Sequence, residues 1–151
     1  FEKYNSKNTE ELDKPLIENF NIKIFTNEFL SNKVRINPFF FDRIKENPFK
    51  LKERNYPVDF AYPRKNNYYL SLQVPETYKI TQLPKDIAIG LPNNGGKFIL
   101  KAQSKNNLIT IFVRFSVNKK SYSSAEYFYL KEFFKQIIIA ESTDIILEKI
   151  N

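Results

Sequence analysis

A chain of 151 residues, 42% hydrophobic and 16% aromatic, with a formal charge of +7, is long enough for one folded domain and too rich in rings for low-complexity disorder. It contains no histidine and no cysteine, which excludes Ser-His-Asp and Cys-His catalysis, His/Cys zinc sites and disulfides. Its 24 Lys and Arg are interleaved with Asn and Glu rather than gathered into a stripe, so the charge does not point to nucleic acid as a partner.

Residues 1–19 are polar, carry no sustained apolar period and include Pro15, which predicts a linker or a short Thr9-capped helical lead-in. Residues 20–151 are expected to form a single β-sandwich domain. Phe20, Ile22 and Ile24 alternate with polar residues as in a half-buried strand, and a second strand is expected from Lys33 to Asn37, stopped by Pro38. The aromatic but aperiodic segment from Phe39 to Leu51, broken at Asn47-Pro48, predicts a long connection with at most one helical turn. Val58, Phe60 and Tyr62 share a face of a short strand bracketed by Pro57 and Pro63, which confines it or puts it at an edge.

Strong alternation follows in Tyr68, Leu70, Leu72 and Val74, with shorter strands at Tyr78 to Leu83 and Ile87 to Leu91, and Pro92-Asn93-Asn94-Gly95-Gly96 is a turn. Phe98 to Ala102 and Ile109 to Val117 predict a hairpin whose second strand is central. The intervening Ser104 to Asn107 predicts a loop longer than a two-residue turn. One helix is expected: Ser123 and Glu126 fit a capping box, Tyr122 and Tyr127 a hydrophobic staple, and Tyr127, Leu130, Phe134, Ile137 and Ile138 form the apolar face. A last strand through Thr143, Ile145 and Leu147 returns to the sheet. The fold class expected is mainly β: an antiparallel β-sandwich of about eight short strands with one C-terminal amphipathic helix.

Without His or Cys, chemistry falls to carboxylates, and Asp42, Asp59 and Asp86 are the first candidates for a facing pair. No loop has the spacing of a calcium site, and Gly95-Gly96 is a turn rather than a phosphate cradle, so no metal, cofactor or catalytic residue is expected. The densest mixture of Arg, Tyr, Asp and Phe lies between Asn47 and Phe60. Two readings compete there. In one, Arg54, Tyr56, Asp59 and Tyr62 form an interface or ligand-binding set. In the other, Arg54 pairs with Asp59 while Phe49, Tyr56 and Phe60 plug the end of the sandwich. Tyr68, Tyr69, Tyr127 and Tyr129 are a further candidate sugar-stacking set, although alternation separates Tyr68 from Tyr69. No stretch approaches the ~20 apolar residues of a membrane helix, Phe1 does not open a signal peptide, and the lack of any methionine suggests a processed chain or a fragment.

The chain resembles the C-terminal β-domain, a domain of unknown function, of exported bacterial transglutaminase-like multidomain proteins. The resemblance rests on Ile36-Asn37-Pro38, Asn47-Pro48-Phe49-Lys50, the run Glu53 to Phe60, Leu72 to Tyr78, Leu83-Pro84, Glu126-Tyr127 and Leu130 to Phe134, and spans about Ile22 to Lys149. It implies an extracytoplasmic, periplasmic location and a non-catalytic accessory role beside a papain-like core. The Cys-His-Asp set of such proteins lies in that core, and no position here can receive it. The expected partner is the adjacent transglutaminase-like domain of the same polypeptide, with an aromatic or apolar patch at the docking end. The alternative is a module binding envelope glycan or peptide.

Overall fold

The computed structural model describes residues 2–24 and 32–150, which fall into two compact units divided between Ser31 and Asn32. In the first, β1 (Lys3–Lys7) and β2 (Ile17–Asn21) pair antiparallel, Lys3 opposite Asn21 and Lys7 opposite Ile17. Tyr4 packs on Phe20 with ring centroids 5.0 Å apart and donates its hydroxyl to Glu18 Oε1 at 2.9 Å. Residues 1–19 thus hold one strand and the start of another in place of a linker or Thr9-capped helix, and Ile22 and Ile24 lie beyond the strand that contains Phe20. The hairpin has no buried face, so no apolar period announces it.

The second unit is built on two larger antiparallel sheets. One contains β3 (Lys33–Ile36), β6 (Tyr78–Gln82) and, between them, the final strand β11 (Ile145–Lys149). The other orders β5 (Arg64–Gln73), β9 (Leu108–Val117), β8 (Gly96–Lys105) and β7 (Ile87–Leu91). A two-residue pairing joins β4 (Val58–Asp59) to β10 (Ser121–Tyr122). The mainly β antiparallel class with a single C-terminal helix is the one expected. The described residues hold eleven strands rather than about eight: β1, with no buried position, and β10, two residues long, show no period of their own.

Alternation works best where one face is wet. Along β8 and β9, Phe98, Leu100, Ile109, Ile111, Val113 and Val117 are buried while their neighbours point outward, and β9 is central as predicted. The β8–β9 loop is only Asn106-Asn107, both with positive φ (50° and 58°), a two-residue turn of the primed kind and not the longer loop expected. Ser104 and Lys105 belong to β8, because polar residues at an exposed hairpin end continue the ladder without an apolar signal.

The helix α1 (Tyr127–Glu141) follows a short 3₁₀ turn with the predicted capping box, in which Ser123 donates its backbone N–H to Glu126 Oε2 at 2.9 Å. Its buried face holds Tyr127, Leu130, Phe133, Phe134 and Ile137, and Phe133 and Phe134 meet Phe115 of β9, so the helix covers the inner face of the four-stranded sheet. Burying five such side chains contributes on the order of 10 kcal/mol of transfer free energy before entropy is counted.

Candidate functional site

The segment that joins β3 to β5 has little regular structure, and polar side chains hold it onto the helix. Asn37 Oδ1 accepts the Phe39 N–H at 3.2 Å and Asn37 Nδ2 donates to the Glu141 carbonyl at 3.0 Å. Asn47 repeats the arrangement: its Oδ1 accepts the Phe49 N–H at 2.9 Å and its Nδ2 donates to the Lys131 carbonyl at 2.8 Å. In each Asn-Pro-Phe triplet the proline disfavours helical backbone at the asparagine, and the asparagine closes a local turn. The following phenylalanine is then delivered inward, Phe39 at 8% and Phe49 at 6% exposure. Phe49 becomes the hub of a ring cluster, with centroids 5.1 Å from Phe134, 5.7 Å from Tyr127 and 6.3 Å from Phe60, while Phe60 lies 5.4 Å from Tyr122.

Beyond Phe49 the chain turns outward. The Leu51 carbonyl accepts the Tyr127 hydroxyl at 3.0 Å and the Lys131 ammonium at 2.8 Å, leaving the Leu51 side chain exposed. Arg54 does not pair with Asp59. Its guanidinium donates to the carbonyls of Tyr56 at 3.1 Å and Pro57 at 3.3 Å, so it braces the backbone of its own loop. Asp59 Oδ1 instead accepts the Ala61 N–H at 2.7 Å, and Ala61 has a φ of 65°, a left-handed conformation that this bond helps to hold. The turn ends the pleat after β4, so Val58 is buried and Phe60 half-buried while Tyr62 swings out. Tyr56, expected among the plugging rings, is 78% exposed, and Tyr62 is 67% exposed.

The four predicted residues therefore divide by role. Arg54 and Asp59 fix the loop through local bonds, and Tyr56 and Tyr62 stand free on the braced backbone. Sequence reasoning missed Phe128, 65% exposed at the start of the helix with its ring 5.7 Å from Tyr129; its place opposite the apolar helical stripe was the available signal. The carboxylates proposed for chemistry are dispersed in use: Asp42 is exposed, Asp59 closes its turn, and Asp86 accepts the Ala102 N–H at 3.0 Å. A cleft of about 460 Å³ between the β6–β7 connection and the helix has Asp86 as its one lining carboxylate, and a second of about 220 Å³ has Glu132. Among the described residues, no group of three or more Asp or Glu is placed to hold a metal, and no helix is long and apolar enough to cross a membrane.

Of the stacking tyrosines, Tyr68 faces inward and donates its hydroxyl to the Pro38 carbonyl at 2.6 Å, and burial pushes its pKa up to about 12. Tyr69 faces outward, 72% exposed, and Tyr127 is in the core.

These elements define an antiparallel, mainly β domain closed by one C-terminal helix that two Asn-Pro-Phe clamps tie to a braced loop. A family described as a domain of unknown function with solved-structure structure, DUF3858, matches residues 31–147, and the chain belongs to that family. The fold is similar to part of a crystal structure described as that of a putative protease from Parabacteroides distasonis, with a TM-score of 0.55 and 14% identity over 65% of this chain. The chain covers 19% of that chain's length. Comparison with curated proteins gives no match.

Proposed function

We propose that this chain is a non-catalytic accessory domain of a longer exported bacterial protein, and that its braced loop and the first turn of the helix dock against a transglutaminase-like domain of the same polypeptide. The observation that carries the reading is the pair of free rings, Tyr56 and Tyr62, on a backbone already held by Arg54 and Asp59. A preorganised backbone with exposed aromatic side chains loses little entropy on binding, and aromatic residues are the favoured anchors of interfaces. Leu51 and Phe128, both exposed near the helix start, add apolar area. The similar chain described as a putative protease extends well beyond the part matched here, which is compatible with a catalytic core outside this domain. Location at the periplasmic side of the envelope belongs to the same proposal.

Hydrogen exchange tests it. In the full-length protein, amides of residues 51–62 and 127–129 should exchange more slowly than in the 151-residue chain alone, and Tyr56→Ala with Tyr62→Ala should abolish the difference. Equal exchange in the two contexts would refute docking through this surface.

A further inference from the structure

The outer face of the four-stranded sheet, turned away from the helix, has a composition unlike the rest of the chain. Registers place Tyr69, Phe112 and Lys101 in one cross-strand row, Asn67, Arg114 and Ile99 in the next, and Lys65, Ser116 and Lys97 beyond them. In the other direction come Ser71, Thr110 and Gln103, then Gln73, Leu108 and Lys105. Five cations, Lys65, Lys97, Lys101, Lys105 and Arg114, share the face, and no Asp or Glu occupies an outward position on any of its four strands. The chain as a whole has 17 Asp and Glu to set against its 24 Lys and Arg, so excluding acids from one face concentrates the net charge there. None of the ion pairs among the described residues uses any of these five.

At the centre of this field is an ordered aromatic pair. Tyr69 and Phe112 are 4.9 Å apart between centroids, and the Arg114 guanidinium lies 5.5 Å from the Phe112 centroid while donating from Nε to Asn67 Oδ1 at 3.0 Å. Phe112 is half-buried between these neighbours, whereas Tyr69 is 72% exposed. The ring cluster thus presents one free stacking surface, bordered by cations and by the amides and hydroxyls of Asn67, Ser71, Thr110 and Gln103.

We infer that this face binds an anionic polysaccharide, with a sugar ring stacked on Tyr69 and its carboxylate or other acidic substituents set against Lys101 and Arg114. Charge complementarity selects an anion. A single exposed ring favours a sugar over a run of nucleobases, which single-strand binding sheets meet with successive aromatic platforms. Short amide and hydroxyl groups between strands match hydroxyl-rich ligands. The site does not depend on the docking proposed above, because it lies on the sheet face away from the helix.

The test is a heteronuclear NMR titration of the whole chain with a galacturonic acid hexamer, a neutral glucose hexamer of matching linkage length and a thymidine decamer of single-stranded DNA. Saturable shifts confined to the four strands around Tyr69, Phe112, Lys101 and Arg114 are expected for the acidic sugar, with binding about tenfold or more tighter than for the neutral one. Tyr69→Ala should weaken the acidic sugar about tenfold, and Lys101→Ala should weaken it and lower its salt dependence. Because both side chains are exposed, unchanged spectra elsewhere establish that the variants fold. Non-saturating shifts scattered over all lysines would overturn the proposal, as would a Tyr69→Ala variant with unaltered affinity. Tighter, Tyr69-dependent binding of the DNA decamer would replace the sugar with nucleic acid and overturn it equally.

Discussion

Asn47 and Asn37 hold the same helix by the same pair of hydrogen bonds: each accepts the N–H of the phenylalanine two residues on and donates to a helix carbonyl, Lys131 for Asn47 and Glu141 for Asn37. Asn37-Pro38 and Asn47-Pro48-Phe49 are among the residues that carry the family resemblance, and their work here is structural. They set where the loop leaves the helix, and so where Arg54, Tyr56 and Asp59 begin.

Asn47→Ala removes the donor to the Lys131 carbonyl and the acceptor for the Phe49 N–H together. The variant should lose about 1–2 kcal/mol of stability, since Phe49 can no longer be held at the centre of its ring cluster without leaving its N–H unpaired. Urea midpoints of the chain measure this. Asn47→Asp, which keeps the acceptor and loses the donor, should fall between the two, and a midpoint unmoved in Asn47→Ala would show that the clamp is idle.

Glu141, the last residue of the helix, is 7% exposed and accepts the Ile44 N–H at 3.0 Å through Oε2. Burial pushes its pKa above the ordinary carboxylate value, against the opposing pull of the Ile44 bond and the nearby Arg43 charge. With the folded-state pKa raised, the folded chain holds more proton than the unfolded chain between the two values, so this group's contribution to stability declines as pH rises through that window. Glu141→Gln keeps an acceptor for Ile44 and removes the ionisation. The difference in urea midpoint, variant minus parent, should grow in the variant's favour from the ordinary carboxylate range toward neutrality; a difference that is constant with pH would show that Glu141 carries none of the pH dependence. Glu126 has the opposite sign: its hydrogen bonds to Lys119 and Ser123 lower its pKa, so its contribution is present above the unfolded carboxylate pKa and lost as pH falls through the folded one.

Gly96 opens β8 opposite Val117, and a Cβ there would sit 2.6 Å from the Ser116 carbonyl oxygen and 3.0 Å from Leu91 Cδ1. A ladder carbonyl cannot step aside as a side chain can. Gly96→Ala should cost about 2 kcal/mol or more through the forced separation of β8 and β9. Gly90→Ala, whose Cβ would meet only the Gly96 carbonyl oxygen at 3.3 Å, should cost less. Thermal midpoints that rank the two variants in the reverse order would contradict this account.

Elements with one buried and one wet face were legible, as β5, β9 and the helix show, because burial imposes a period of two or of 3.6 on the side chains. Elements without a buried row were not: β1 has no buried position, and β10, although its Tyr122 pairs with Val58 of β4 in the core, is two residues long. At the candidate site, the pairing of Arg54 with Asp59, one of the two readings open from the sequence, is not the one the fold makes. Opposite charges a few residues apart invite that pairing, yet the backbone carbonyls of Tyr56 and Pro57 and the N–H of Ala61 lay closer in the fold.

By itself, the sequence determined the mainly β class, the capped C-terminal helix and the exclusion of His and Cys chemistry, since each follows from local periodicity or from which atoms the chain possesses. Only the tertiary structure decided that five cations and Tyr69 share one acid-free sheet face, and that two Asn-Pro-Phe turns grip one helix. Strand register and loop placement bring together residues distant along the chain, and no local period records which strand will lie beside which.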